Sequence, residues 1–220
     1  MYIKRKISTK NIDKFLRPHS TDEKVLVIHS EDIDWQGFFP NAYTVTKRRH
    51  VPADLHVDKY YRELSGVEDE SYSTIICTGL LEHLPEPHLF QEELLRIMKP
   101  GGKLLLQASG AFSIHEGPDD FYHFTHFSFE KIFHNWERKL ITGSCMPYET
   151  IAILLQRILY QADVGFLTKI MTVILYNIIP LFDKRVYTQY SKVGRSEKNI
   201  IDSMLPSNMQ IICYKPNNSQ

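Results

Sequence analysis

Residues 80–102 read LLEHLPEPHLFQEELLRIMKPGG and contain a turn, a helix and a helix stop. Pro87 suits the first turn of a helix, because the fixed φ of proline favours that position and its missing N–H would have no helical partner there. Apolar residues then recur at helical spacing as far as Met98. Lys99 complements the negative end of the helix dipole, and the Pro-Gly-Gly after it cannot continue the helix. The stretch therefore predicts a helix over residues 88–98.

Short apolar and β-branched runs lie on both sides of this helix. STIICT at 73–78 and KLLLQA at 103–108 are the clearest strand patterns, and weaker ones occupy 24–29, 41–46 and 53–57. Strands that alternate with helices predict a mainly parallel sheet with helices on both faces. We therefore expect an α/β fold of the Rossmann-like, doubly wound type, with a C-terminal helical extension.

Composition divides the chain into three parts. Residues 1–23 form a polar lead-in with a short helix expected near 11–16, and residues 24–147 form the α/β core. Residues 148–220 form an apolar helical extension, with a last run from Asn208 that predicts a final edge strand.

The extension is unusually apolar over residues 151–182. Between Lys169 and Asp183 lie 13 residues without charge, which is too short a run for a helix to cross a bilayer core of about 30 Å. Three interpretations remain open: helices that pack on the sheet or cap the pocket, a homodimer or partner interface, and a peripheral helix at a membrane surface. We favour the first.

Charge and cysteine usage exclude several classes of function. Lysine plus arginine equals aspartate plus glutamate, 26 each, so no basic footprint points to nucleic acid. Cys77, Cys145 and Cys213 are far apart and form no C-x-x-C pair, so neither a disulfide framework nor a cysteine zinc site is indicated. The residues MYIKRKISTKN lack the apolar stretch of a signal peptide. We therefore expect a cytoplasmic protein.

The motif LEHLPEP, followed by E-x-x-R-I-M-K-P-G-G and an apolar strand, resembles the second half of a class I S-adenosylmethionine-dependent methyltransferase core of the type-11 kind. The resemblance spans residues 24–137 and implies a cofactor that lies across the carboxyl ends of the first strands. One part differs. Where the family has roughly V-L-D-V-G-C-G, residues 25–31 read VLVIHSE, so His29 and Glu31 replace two glycines of the cofactor loop.

S-adenosylmethionine is the cofactor that this resemblance implies. Thr46 stands where the family has a ribose-binding acid, and Asp54 stands at the position that recognises adenine. An alternative for Asp54 is a turn carboxylate that caps local backbone groups. The full set of cofactor-binding residues that the resemblance implies is Ile28, His29, Ser30, Thr46, Asp54, Leu55 and Thr78.

Residues 112–125, FSIHEGPDDFYHFT, resemble a loop found in a subset of these methyltransferases, many of them associated with surface polysaccharide or sugar modification. His115, Asp120 and Tyr122 match that loop, whereas His123 replaces an arginine. The chemistry fits a polar acceptor, because imidazole and carboxylate can deprotonate a hydroxyl and aromatic faces can stack on a sugar ring. We expect His115 and Asp120 to be catalytic, and Tyr122 and His123 to contact the substrate.

His83, in LEHLP, is the third expected catalytic residue, because this turn faces the methyl-transfer channel in the family. Alternatively, Glu82 and His83 fix the turn into Pro85 through side-chain hydrogen bonds, and we favour that structural role. No metal is expected, because the histidines of residues 115–126 are irregularly spaced and lack a matching carboxylate pattern.

Three functional hypotheses follow. The first is a methyltransferase that acts on a small or carbohydrate-linked acceptor, in surface polysaccharide biosynthesis. The second is a catalytically inactive member of the same fold that serves as a partner or regulatory subunit, which the altered glycine loop and residues 151–182 favour. The third keeps the fold and binds another nucleotide or a sugar nucleotide. The retained loop at residues 112–125 favours the enzyme.

Overall fold

The computed structural model describes residues 7–28, 37–48, 50–57, 64–186 and 204–217. Its helices are α1 (Ile7–Leu16), α2 (Pro87–Ile97), α3 (His126–Ile132), α4 (Pro147–Gln161) and α5 (Phe166–Ile178). Its strands are β1 (Val25–Ile28), β2 (Ala42–Thr46), β3 (Leu55–His56), β4 (Tyr72–Thr78), β5 (Met98–Ser109), β6 (Glu137–Gly143) and β7 (Asn208–Tyr214). Short 3-10 segments at Leu81–His83 and Ile179–Arg185 follow β4 and α5.

The described residues form one sheet of seven strands in the order β3-β2-β1-β4-β5-β7-β6. The first five strands are parallel, and β7 runs antiparallel to both of its neighbours. From β1 the chain builds outwards through β2 and β3, and then returns to place β4 on the other side of β1. This reversal is the topological switch point at which doubly wound folds bind ligands. The predicted Rossmann-like fold is confirmed.

Both faces of the sheet are buried beneath helices. Leu26 of β1 points to one face, where it joins a cluster with Phe90 of α2 and Phe129 of α3. Its neighbour Val27 points to the other face and packs with Leu16 of α1. Because successive strand residues point to opposite faces, this burial on both sides explains the nearly unbroken apolar run of β1. The lead-in helix α1 therefore covers part of the core, and it begins at Ile7, earlier than expected.

The last strand differs from the prediction. The run from Asn208 was expected at an edge, but β7 lies inside the sheet between β5 and β6. The sequence analysis did not predict β6, because most of its side chains are exposed and its residues ERKLITG show no alternating apolar pattern. The segment predicted as a C-terminal extension thus contributes an interior strand, next to the edge strand β6, to the sheet.

The KPGG segment is more than a helix stop. Helix α2 ends at Ile97, and β5 begins at Met98, five residues before the predicted start. A Cβ on Gly102 would lie 2.8 Å from the carbonyl oxygen of Lys99 and 3.1 Å from that of Ser73. Glycine is therefore needed where β5 lies close beside β4, at the irregularity in their pairing between Met98 and Lys103.

Helices α4 and α5 have different surroundings. Ala152 and Ile153 of α4 are buried, and the carboxylate of Asp183 accepts hydrogen bonds from the first backbone N–H groups of α4. In contrast, α5 exposes Phe166 and Met171 by 77% and 62%. Within the described ranges, the helical segment Phe166–Arg185 is 20 residues long, and a window of 18 residues in it has a mean hydropathy of 1.4. By length and composition it could cross a membrane, although its charge-free run between Lys169 and Asp183 is too short to do so alone. Membrane contact and a dimer interface at this segment stay predictions.

Candidate functional site

The site lies at the carboxyl ends of β4 and β5, beside the switch point. The substrate loop, residues 112–125, leaves β5 and folds back over this edge. The N–H of Phe124 donates to the carbonyl of Ser109 at 2.7 Å, which returns the end of the loop to the strand from which it left. At the far end, the hydroxyl of Thr125 accepts a hydrogen bond from the N–H of Ser128 and caps α3.

Glu82 connects the turn after β4 to both the strand and the loop. Its side chain is buried, and Oε1 accepts hydrogen bonds from the N–H of Ser109 at 3.1 Å and from its hydroxyl at 2.8 Å. The backbone carbonyl of Glu82 accepts the N–H groups of Phe121 and Tyr122. Within the described part of the chain, Oε2 is buried and has no hydrogen-bond partner. Glu82 therefore has a structural role, but its side chain bonds Ser109 of β5 and not the turn into Pro85, where it was expected to act.

His83 and His115 meet edge to face, with ring centroids 4.8 Å apart. The Nδ1 of His83 lies 2.9 Å from the carbonyl oxygen of Asp119, and the Nδ1 of His115 lies 3.1 Å from that of Ser113. Since a carbonyl oxygen can only accept, both Nδ1 atoms carry the hydrogen. In the neutral ring the Nε2 atom then holds the lone pair that can accept a proton or bind a cation.

Asp120 lies behind the two histidines, and its side chain is only 3% exposed. Its Oδ2 accepts the backbone N–H of His115 at 2.9 Å and lies 3.4 Å from the Nδ1 of that ring. The Nε2 of His123 lies 3.6 Å from the same oxygen. Among the described residues, Oδ1 of Asp120 is buried without a hydrogen-bond partner. The carboxylate therefore positions His115 and keeps one oxygen available at the site.

Helix α4 holds the first half of the substrate loop in place. The Nε of Arg157 donates to the hydroxyl of Ser113 at 2.8 Å, and its guanidinium lies 4.8 Å from the centre of the Phe112 ring. One turn further on, the side-chain amide of Gln161 donates to the carbonyl of Ile114 at 2.7 Å. The sequence analysis missed this attachment, because no local pattern links residues more than forty positions apart.

A second attachment reaches the loop from the cofactor side. Arg48, two residues after the end of β2, forms an ion pair with Glu116 of the substrate loop. Thr46 ends β2, is buried, and accepts the N–H of Arg48 on its hydroxyl. The substrate loop is therefore joined to the strand end where the ribose-binding acid of the family would stand.

The predicted cofactor residues divide into four groups, of which Asp54 is the last. Ile28, Thr46 and Thr78 are buried at the carboxyl ends of their strands, where the fold places a ligand. Leu55 is half-buried in β3. His29 and Ser30 lie outside the described residues.

Asp54 lies just before β3, away from this edge. Its carboxylate accepts the N–H and the hydroxyl of Thr44 at 2.7 and 2.8 Å. The hydrogen bond from the backbone N–H of Thr44 holds the pKa of Asp54 below its usual value. The carboxylate therefore caps a backbone group, as in the alternative interpretation, but that group lies in the neighbouring strand β2 rather than in a local turn. Adenine recognition by Asp54 stays a prediction.

The structure brings together the predicted catalytic residues His83, His115 and Asp120. The predicted substrate residue His123 lies beside them, next to Asp120. Tyr122 is 41% exposed, and its hydroxyl donates to the carbonyl of Pro85 at 2.9 Å. Their roles stay predictions, but their convergence is a structural fact.

Comparison with known sequences supports the same family. The family model described as "Methyltransferase domain" matches residues 34–106, beginning just after the altered glycine loop. The ubiquinone biosynthesis O-methyltransferase of Xanthomonas oryzae pv. oryzae (strain PXO99A) is 29% identical over 70 residues, which cover 30% of this chain. The same aligned stretch covers 29% of that protein, so less than a third of the curated relative is matched.

Solved structures resemble the chain along nearly its whole length. Phosphoethanolamine N-methyltransferase 2 of Haemonchus contortus, in complex with phosphomonomethylethanolamine and S-adenosylhomocysteine, covers 99% of this chain and 55% of its own, with a TM-score of 0.55 and 14% identity. A putative methyltransferase of Bacillus halodurans C-125 covers 94% of this chain and 100% of its own, with a TM-score of 0.56 and 13% identity. At such identities the likeness is one of fold.

Proposed function

Because the methyltransferase-domain family model matches residues 34–106, we propose that the chain transfers a methyl group from S-adenosylmethionine to a hydroxyl of a small or carbohydrate-linked acceptor. The observation that carries this proposal is the convergence of His83, His115 and Asp120 at the carboxyl edge of β4 and β5. An acceptor bound against the substrate loop would meet these groups beside the switch point, where the fold binds its cofactor.

The described residues at the switch point fit the cofactor in a modified form. Thr46 and Thr78 are buried threonines at the ends of strands on either side of β1. The hydroxyl of Thr46 accepts the N–H of Arg48 and can still donate its own hydrogen to a ribose oxygen. S-adenosylmethionine would supply the electrophilic methyl group.

His115 is the group best placed to remove a proton. An acceptor hydroxyl bound here would pass its proton to Nε2 of His115 as its oxygen is methylated. The carbonyl of Ser113 holds the Nδ1 hydrogen, and Asp120 stabilises the imidazolium that forms. His83 packs against the His115 ring and limits its rotation.

Two features support a polar, ring-shaped acceptor. Phe121 and Tyr122 are 46% and 41% exposed on the substrate loop, and such faces stack well on sugars and other rings. His123, partly exposed, can donate or accept a hydrogen bond to a hydroxyl. A role in surface polysaccharide biosynthesis rests on the resemblance of this loop. Transfer to oxygen is also what the name of the Xanthomonas relative states for that protein.

Calorimetric titration with S-adenosylmethionine and S-adenosylhomocysteine tests the proposal directly. We expect micromolar binding, weakened by Thr46→Val and unchanged by His134→Ala, a surface histidine of the same chain. With a panel of hydroxylated acceptors, His115→Ala should lower kcat by about 100-fold or more, which is the usual contribution of a general base. No binding at millimolar cofactor would refute the enzyme.

A second candidate is the catalytically inactive partner subunit. The exposed apolar face of α5, which includes Phe166 and Met171, favours it, and a second copy of the chain is the simplest occupant of that face. Light scattering after gel filtration would support this candidate if the chain is a dimer that Met171→Glu makes monomeric and if no cofactor binds. A wild-type chain that is a monodisperse monomer and binds no co-expressed protein would exclude it.

A further inference from the structure

The turn after β4 and the substrate loop bring three metal-binding side chains together. One ligand atom from each of Glu82, His83 and His115 lies within 4.8 Å of the others. Glu82 and His83 are buried, at 2% and 4% exposure. The sequence analysis considered only histidines of the loop and the following helix. It therefore predicted no metal, because the carboxylate and the second histidine come from a different motif.

Both histidines are oriented as ligating histidines usually are. Each donates its Nδ1 hydrogen to a backbone carbonyl, that of Asp119 for His83 and that of Ser113 for His115. Such a bond fixes the tautomer and ring direction and makes Nε2 the coordinating atom. A histidine that only fills space in the core does not need a hydrogen bond that fixes the direction of its ring.

The carboxylates supply a second, independent observation. Oε2 of Glu82 and Oδ1 of Asp120 are buried and lack hydrogen-bond partners among the described residues. A buried carboxylate oxygen without a partner is costly, and native proteins satisfy such atoms with water or a cation. Oε1 of Glu82 is already held by the N–H and hydroxyl of Ser109, which leaves Oε2 as the oxygen directed to a further ligand.

We propose that Glu82, His83 and His115 bind a divalent transition-metal ion, with zinc favoured. Two imidazoles and one carboxylate are the protein ligands of a common class of catalytic zinc site, which keeps a fourth position open. Neighbouring ligand atoms in a tetrahedral zinc site are about 3.4 Å apart, so small side-chain rotations close the set. Magnesium and calcium prefer oxygen ligands and fit this donor set poorly.

The open position would face the acceptor side of the substrate loop. A cation there would hold the acceptor hydroxyl and lower its pKa. With the ion bound, Nε2 of His115 would be a ligand, so the hydroxyl proton would go to the carboxylate of Asp120, whose Oδ1 is buried without a hydrogen-bond partner among the described residues, in place of His115. This catalytic role rests on the proposed function. Binding of the ion does not, because its ligands are complete without S-adenosylmethionine.

The test uses the full chain after removal of any affinity tag. The protein is first dialysed against a chelator. Titration with zinc chloride should show one site per chain, and cobalt(II) should give the visible absorption bands of a four-coordinate ion. Glu82→Gln and His115→Gln should each raise the dissociation constant by at least about 100-fold. His134→Gln is the matched control, because its Nδ1 also lies 3.1 Å from a backbone carbonyl, that of Lys131, but on the exposed surface.

Each outcome decides. The site is refuted if zinc binds in less than one equivalent per chain, or if His115→Gln and His134→Gln bind it equally well. Circular dichroism identifies a variant that fails to fold. If Glu82→Gln fails to fold, His115→Gln still tests the site, because it changes only the loop. If the chain binds zinc but not the cofactor, the metal site is supported and the methyltransferase is refuted. If it binds the cofactor but not zinc, the methyltransferase is supported and the metal site is refuted.

Discussion

Arg157 offers the sharpest test of how the substrate loop is held. In Arg157→Met the side chain keeps most of its length over the Phe112 ring but loses its charge and its hydrogen bond to Ser113. The cation–π contact contributes about 0.5–1 kcal/mol and the hydrogen bond about 0.5–1.5 kcal/mol. Their sum, about 1–2.5 kcal/mol, corresponds to a roughly 5- to 70-fold increase in the open population of the loop.

Hydrogen exchange measures this population. The amide of His115 donates to Asp120, so its exchange rate reports loop opening and should rise by the same factor. Amides inside β4 and β5 should not change, since local opening does not require global unfolding. In Arg157→Lys the exchange rate of the His115 amide should lie between those of wild type and Arg157→Met, because lysine keeps the charge but lacks the planar guanidinium.

Lys131→Met, on the exposed side of α3, is the matched control for loss of a positive charge and should leave every rate unchanged. The reasoning is refuted if the amide of His115 exchanges equally fast in Arg157→Met and wild type. It is also refuted if β4 and β5 amides accelerate together with it, because the helix would then stabilise the whole domain rather than the loop.

Three further predictions concern stability. Trp136→Phe should cost about 1–3 kcal/mol in urea unfolding, because it removes the 2.9 Å hydrogen bond to Gln91 and leaves that buried oxygen unpaired; a variant as stable as wild type would contradict this. Gly110→Ala should cost a similar amount, because the new Cβ would lie 2.7 Å from a backbone carbonyl oxygen in the segment before β7; a neutral change would show that this segment shifts freely. Asp54→Asn should cost about 1 kcal/mol at pH 7 through its bonds to Thr44. Since the folded-state pKa of Asp54 is lowered, its contribution is complete above the unfolded value and is lost as the pH falls through the folded one. The difference between the two proteins should therefore shrink below about pH 4, and a constant difference would disprove the linkage.

The fold was predictable where its signals are local. The strand Tyr72–Thr78 and the helix Pro87–Ile97 begin and end within about a residue of their predicted bounds, because periodicity, proline and glycine act over a few positions. In contrast, β6 was missed and β7 was placed at an edge. Their stability comes from pairing with distant residues, such as the bond between Gln210 and Gln107, and strand propensity depends on such partners.

The site was predictable in its residues but not in its arrangement. His115 and Asp120 are five positions apart, and their contact follows from one loop. The meeting of this loop with His83 depends on backbone carbonyls, those of Glu82 and Asp119, which carry no mark in the sequence. Backbone acceptors are available at every position, so only the folded chain determines which of them are used.

The position of β7 between β5 and the edge strand β6 has a consequence for synthesis of the protein. In the described residues β6 joins the sheet only through β7, so it cannot pair until residues 208–214 have left the ribosome. Until then β5 presents an unpaired edge of main-chain N–H and C=O groups, the kind of surface that pairs with other chains. A ribosome-bound chain that ends before residue 208 should therefore be protease-sensitive at β6 and prone to aggregation, and the nascent protein needs protection until the last strand arrives.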